Sequence, residues 1–171
     1  IAPLAESEGV VSLSNQADAS LKKLLKGIKV LAVGPGLSTD GEASEFARQL
    51  VAKTTLPIVI DADGLNAFDS RAHLLDGSKR TMVLMPHPGE MARLVGKTVK
   101  EVEADRVNLA REFATRHHLT LILKGWRTLI AHPDGAVAVN TSGNPAMAKG
   151  GSGDILTGIV AAMLGQFPDD V

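Results

Sequence analysis

Residues 143–164 read GNPAMAKGGSGDILTGIVAAML. Gly150, Gly151 and Gly153 stand just before an apolar run from Ile155 to Phe167. Within that run Leu156, Ile159, Val160, Met163 and Leu164 recur at the spacing of one helix face. This predicts a core helix with those five residues on its buried side. The glycines then lie in the loop that feeds the helix N-terminus. Glycine lets backbone N–H groups converge. A helix start adds unpaired donors and a partial positive charge. Together they form a place for an anion, most often a phosphate. Asp154 puts a carboxylate at its mouth. Two readings stand for it: a base that takes a proton from a group being phosphorylated, or a residue that favours the first turn of a helix and caps it.

Upstream of this stretch, short apolar segments alternate with helical ones. Lys29–Val33, Pro57–Ile60, Met82–Met85 and Leu119–Leu123 read as strands that are apolar throughout. Helices are expected from Asp18 to Lys26, from a Thr39/Glu42 capping box to about Lys53, over Pro88–Val95, and from a Thr98/Glu101 capping box to about His117. Arg127–Ala131 and Ala136–Val139 flank Pro133-Asp134-Gly135, a hairpin pattern. Ile1–Ser14 has no clear period and reads as loop or a remnant of something longer. Apolar strands alternating with helices mean a mostly parallel sheet covered on both faces, a three-layer α/β/α sandwich. The glycine and polar motifs fall just after strands, at the edge where open α/β sheets bind ligands.

Composition narrows the function. The chain has 171 residues, 44% hydrophobic and 22% charged, with net charge −1, enough for one domain with one core. Nothing in that balance suggests nucleic acid or an anionic membrane. There is no cysteine, which removes disulfides, thiol catalysis and cysteine metal sites and fits a reducing compartment. Aromatics are 3%, with no Tyr, against base stacking. The longest apolar run is too short to span a bilayer, and no signal peptide is legible. The chain begins at Ile1, which reads as a cut or processed end.

The remaining motifs each carry a functional and a plain reading. Gly34-Pro35-Gly36 could let a ligand approach the backbone, or could be a tight turn. No GxGxxG or GxxxxGK[ST] is present, which argues against a Rossmann dinucleotide site and a P-loop. Asp61 and Asp63 could orient a hydroxyl or a hydrated metal; capping of the next turn is the simpler reading. Pro88 and Glu90 suit a helix start. His87 is poorly explained that way and is the better ligand contact. Lys124 to Thr128 could hold a phosphate, with Lys124 as a point charge and Thr128 as a hydroxyl donor, or could be a basic surface turn. His117-His118 reads as a solvated helix end.

Taken together, the segments VGPGLS (33–38), IDADGLNAF (60–68), MPHPGEMARLVG (85–96), KGWRTLIAHPDG (124–135) and NTSGNPAMAKGGSGDILTGIVAAMLGQ (140–166) closely resemble the ADP/ATP-dependent NAD(P)H-hydrate dehydratases, a branch of the ribokinase-like superfamily. The resemblance implies a substrate, NADH or NADPH hydrated on its nicotinamide ring. It implies phosphorylation of the ring hydroxyl and elimination of phosphate to restore the double bond. By the same resemblance Gly151, Ser152 and Gly153 form the anion hole and Asp154 is the base. Gly36, His87 and Asp154 contact the hydrate. Lys124, Gly125, Trp126, Arg127, Thr128 and Gly153 hold the donor nucleotide, ADP or ATP, with ADP favoured. Mg2+ accompanies it, and Glu90 acts on the ion through water. No residue is assigned as a direct metal ligand.

The family usually carries small residues where Trp126 and Arg127 stand. Its fold also starts before Ile1 and continues past the Asp154 helix, so the chain reads as a single partial domain over 1–171. A cytoplasmic homo-oligomer is expected, fused to or paired with an NAD(P)H-hydrate epimerase. Two other functions fit the fold: a vitamin or sugar kinase, and a nucleotide-binding module without catalysis.

Overall fold

Residues 3–16 and 19–168 are described in the computed structural model of the chain. Asp18, where the first helix was expected to start, lies outside them. The front segment, expected as loop, pairs with itself. β1 (Glu6–Ser7) and β2 (Val10–Val11) run antiparallel across a turn in which Glu8 and Gly9 take φ of 51° and 78°. Two successive positive φ values match the right-handed twist of a tight hairpin. α1 (Ala19–Leu25) follows, with Leu21 and Leu25 packed on the core.

The remaining elements alternate as the apolar pattern predicts. They are β3 (Leu31–Val33), α2 (Gly41–Lys53), β4 (Ile58–Ile60), a single turn α3 (Asp63–Asn66), β5 (Met82–Leu84), α4 (Pro88–Val95), α5 (Val99–Ala104), α6 (Arg106–His117), β6 (Thr120–Leu123), β7 (Leu129–Ala131), β8 (Val137–Val139) and α7 (Ser152–Gln166). β3 to β8 form one six-stranded sheet in chain order. β3, β4, β5 and β6 pair in parallel, and β7 and β8 add the antiparallel hairpin. Register is tight: Val33 faces Ile60, Ile60 faces Leu84, and Leu84 faces Leu121. The central strands are apolar on both sides because both sides are covered. Ile58, Val59 and Ile60 have no exposure. Each such side chain contributes about 1.5–3 kcal/mol by leaving water.

One face of the sheet carries the larger core. Phe46 and Leu50 of α2, Met91 and Leu94 of α4, Val102 of α5 and Phe113 of α6 pack there with Ile58, Ile60, Leu84 and Leu121. The other face meets α7, whose Leu156, Val160, Ala161 and Leu164 lie on Val59, Val83 and Met85. The architecture is therefore the expected three-layer sandwich, with α7 as the described part of the third layer.

Several local expectations change. α2 is capped by Asp40, not Thr39: the Asp40 carboxylate accepts the Glu42 N–H at 2.9 Å. Asp stands next to the helix start and adds a charge that suits its dipole. The Thr98/Glu101 box is present, but the helix it opens stops at Ala104. Asp105 leaves helical geometry (φ −144°, ψ 51°) and α6 begins anew at Arg106. The break turns Arg106 toward the β6 end, where its guanidinium donates to the carbonyls of Leu123, Lys124 and Trp126. His117 is half-buried instead of solvated, its ring 4.3 Å from Phe113 and its Nδ1 2.9 Å from the Leu75 carbonyl. On α7, Ile159 and Met163 point outward at 54% and 51% exposure, while Thr157 and Leu164 are buried. The apolar pattern continues around the helix, so periodicity alone misplaced its inner face.

Candidate functional site

Every parallel strand ends at one edge of the sheet, and the motifs follow those ends. The Asp61 N–H donates to the Val33 carbonyl, the Met85 N–H to Ile60 and the Lys124 N–H to Pro86, so the ladder extends past the strands themselves. Gly34, Asp61, Pro86-His87 and Lys124 are thereby set side by side. The first two touch. A Cβ on Gly34 would stand 1.7 Å from the Asp61 carbonyl oxygen, and its φ is 135°. No other residue fits there. Asp63 closes the same junction by accepting the Ser38 N–H at 3.0 Å. Ala62 between them takes φ 47°, a conformation side chains avoid.

Asp61 does more than cap a turn. Its side chain is 1% exposed and engaged on both oxygens. Oδ1 accepts from Lys124 Nζ at 2.5 Å and from the Ala62 N–H at 2.8 Å. Oδ2 accepts from Thr157 Oγ1 at 2.7 Å. Lys124 is correspondingly not a free surface cation. Its ammonium points inward, 18% exposed, with Glu90 Oε2 at 3.8 Å as a second carboxylate. Two carboxylates thus face one ammonium, leaving one negative charge in excess.

His87 is the N-cap of α4, contrary to the expectation that helix-start chemistry does not account for it. Its Nδ1 accepts the N–H groups of Gly89 and Glu90, and Glu90 returns the contact by accepting the His87 N–H at 2.7 Å. With Nδ1 accepting, the ring proton is assigned to Nε2, 3.4 Å from Glu90 Oε1. The ring remains half exposed on the rim.

The α7 start lies over the Asp61–Lys124 pair. A Cβ on Gly153 would be 3.8 Å from both Asp61 Oδ2 and Lys124 Nζ. Ser152 donates its N–H to the Lys149 carbonyl. The N–H groups of Gly151, Gly153 and Asp154 have no acceptor among the described residues, as expected of helix-start donors. Asp154 is exposed. Gly36 is exposed at φ 73° in the loop after β3, with no described contact to Asp154 or the buried pair.

The loop 124–128 is shaped by Arg106 beneath it and by the Thr128 hydroxyl, which donates to the Gly125 carbonyl at 3.1 Å. Trp126 is 76% exposed, and the Arg127 guanidinium stacks on its ring at 4.3 Å. Gly125, Trp126 and Arg127 are exposed, whereas the Lys124 ammonium points inward. Sequence reasoning did not single out Thr157 and Arg106. A lone hydroxyl on an apolar helix face, four residues after Gly153, was the signal for the first; nothing local marks the second.

The arrangement has the parts for phosphoryl transfer: free donors at a helix start, an exposed carboxylate beside them, and a rigid rim below. Among the described residues no three His, Asp or Glu side chains gather as a metal cage. No described helix is long and apolar enough to cross a membrane.

The chain is similar to known proteins. A Moorella thermoacetica bifunctional NAD(P)H-hydrate repair enzyme is 46% identical over 155 residues, which are 91% of this chain and 29% of that one. The ADP-dependent (S)-NAD(P)H-hydrate dehydratase of Neisseria meningitidis is 40% identical, with 88% of this chain and 51% of that one aligned. The chain thus spans about half or less of the relatives it matches. The crystal structure of the Bacillus subtilis ADP/ATP-dependent NAD(P)H-hydrate dehydratase, co-crystallised with ATP and Mg2+ and soaked with CoA, superposes with a TM-score of 0.68 at 37% identity. It covers 80% of this chain and 48% of that chain. An Enterococcus faecalis ribokinase-like protein superposes with a TM-score of 0.75 at 29% identity, over 92% and 54% of the two chains. The profile of the Carb_kinase family, NAD(P)H-hydrate dehydratase, matches residues 3–171, and the chain belongs to that family.

Proposed function

We propose that this chain carries out the nucleotide-dependent dehydration of hydrated NADH and NADPH. The observation that carries the reading is the α7 start, where the unpaired N–H groups of Gly151, Gly153 and Asp154 adjoin the exposed Asp154 carboxylate. In this reading the nucleotide lies over Lys124 to Thr128, with its phosphates toward Gly151 to Gly153. Gly36 and His87 line the hydrate's side of the rim.

Asp154 takes the proton of the ring hydroxyl as that oxygen attacks the terminal phosphate. A new O–P bond forms while the bond to the departing AMP or ADP breaks. The α7 N–H groups offset the charge on the moving phosphoryl group. Phosphate then leaves the ring with the C–O electron pair. A proton leaves the neighbouring carbon, and the double bond returns. Magnesium, when bound, neutralises charge on the donor phosphates. Glu90 and its unbalanced negative charge fit an ion that arrives on the nucleotide and is reached through water.

The same reading places the protein in the cytoplasm as a homo-oligomer. It works with an epimerase for the same damaged cofactor, fused or separate; the Moorella relative is named bifunctional.

Incubation of the chain with hydrated NADH, ADP and Mg2+ is expected to restore NADH absorbance and release phosphate. ADP binding without either signal would instead favour a non-catalytic nucleotide module. Phosphate release with vitamins or sugars alone would favour a kinase.

A further inference from the structure

Thr157 is out of keeping with its surroundings. It is 4% exposed on the inner side of α7, among Leu156, Val160, Ala161 and Leu164. A hydroxyl buried in such company is costly unless it is paired. Its partner is Asp61 Oδ2 at 2.7 Å, 96 residues away in sequence. The Gly153 carbonyl also lies 3.1 Å from this hydroxyl, but a hydroxyl has one proton, and a charged acceptor takes it in preference to a neutral one.

We propose that Asp61 is a positioning residue whose carboxylate, through Thr157 and Lys124, anchors the glycine loop and first turn of α7 to the sheet rim. Three observations converge. Asp61 stands at the end of β4, its N–H bonded to the Val33 carbonyl and its own carbonyl packed where a side chain on Gly34 would be. Lys124 at the end of β6 holds Oδ1, so the carboxylate is fixed from a second strand. Gly153, one turn before Thr157, lies over the pair, where a Cβ would be 3.8 Å from each partner. The contact at Thr157 therefore sets how far α7 slides along the sheet. With it, the Gly153 and Asp154 N–H groups and the Asp154 carboxylate take their place. That this affects turnover rests on the function proposed above; the anchor itself is read separately.

Amide hydrogen exchange over residues 155–158, whose first bond runs from the Ile155 N–H to the Gly151 carbonyl, measures the anchor, and turnover of hydrated NADH with ADP and Mg2+ measures its use. The variants are Thr157→Val, which keeps shape and loses the hydroxyl, Thr157→Ser, which restores it, and Leu164→Ala, which weakens packing at the far end of α7. Loss of a bond to a buried carboxylate should speed exchange over 155–158 about tenfold in Thr157→Val, with Thr157→Ser within about twofold of the parent. For a misplaced reacting group, kcat should fall about tenfold while KM stays within about twofold, and Thr157→Ser should recover it. Unaltered exchange in Thr157→Val overturns the proposal. So does equal loosening in Leu164→Ala, or a loosened loop with unchanged kcat. If the parent shows no turnover, the proposed function fails while local loosening reversed by Ser still supports the anchor.

Discussion

At the scale of single residues, the surprise is where Lys124 sends its charge. A lysine after a strand and before Gly125-Trp126-Arg127 reads equally as a cation offered to a ligand or as part of a basic surface turn. In the fold its ammonium is bound to Asp61, which has almost no access to water. Removing one member of a buried pair strands the other. Lys124→Ala should therefore cost about 3–5 kcal/mol of folding stability. The double variant Lys124→Met/Asp61→Asn should recover most of that loss. Denaturant titration of the three proteins checks this, and equal losses in single and double variants would rule it out. Asp154 stands in the opposite situation, exposed in the first turn and without a partner among the described residues. Asp154→Asn retains a capping side chain but no base. Its turnover should drop about a hundredfold or more with ADP affinity unchanged. Near-normal turnover, read from NADH absorbance, would make the carboxylate structural.

At the scale of elements, helix starts decide much of the rim. α4 is closed by a reciprocal His87–Glu90 cap and α5 by a Thr98–Glu101 cap. In the second, the Thr98 hydroxyl and then its N–H hold the Glu101 carboxyl below the ordinary glutamate range. A carboxyl lowered on folding adds stability above its ordinary value and loses it as pH falls through the lowered one. The difference in melting temperature between parent and Glu101→Gln should accordingly be largest near about pH 7 and shrink by about pH 3. Paired thermal scans measure it; a gap that does not change with pH would place the effect in packing. The Asp105 break is the element-level feature that local patterns hid. Arg106 is recruited by three carbonyls of a loop 17 to 20 residues away, and no capping motif records that.

Across the whole molecule, the two faces of the sheet are unequally covered. Six helices share the larger core with the sheet, whereas α7 lies alone on the other side among the described residues. A helix apolar around its full circumference ordinarily belongs inside a protein. Here Ile155, Ile159, Met163 and Phe167 are 67%, 54%, 51% and 48% exposed, four residues apart in one outward row. A contiguous apolar surface of this kind promotes association. Ile159→Asp should lower light scattering and shift the chain toward smaller species in gel filtration, with its circular dichroism retained. Unchanged scattering would mean that the row does not govern association.

Period and punctuation were enough to establish a parallel α/β sandwich. Apolar runs as short as Ile58–Ile60 and Met82–Leu84, bounded by turn residues, read as strands buried on both faces, and Gly34, Pro88 and the glycines before α7 mark the turns between layers. The long motifs likewise carried the family, because their residue types and order are local text. What the chain alone did not reveal is which side chains spend themselves on one another. Asp61, Lys124, Glu90 and Thr157 lie on four separate elements, and their meeting depends on strand register and on the docking of α7. The inner face of α7 was equally out of reach. Its apolar residues encircle the helix, so only contact with Val59, Val83 and Met85 decides which of them are buried.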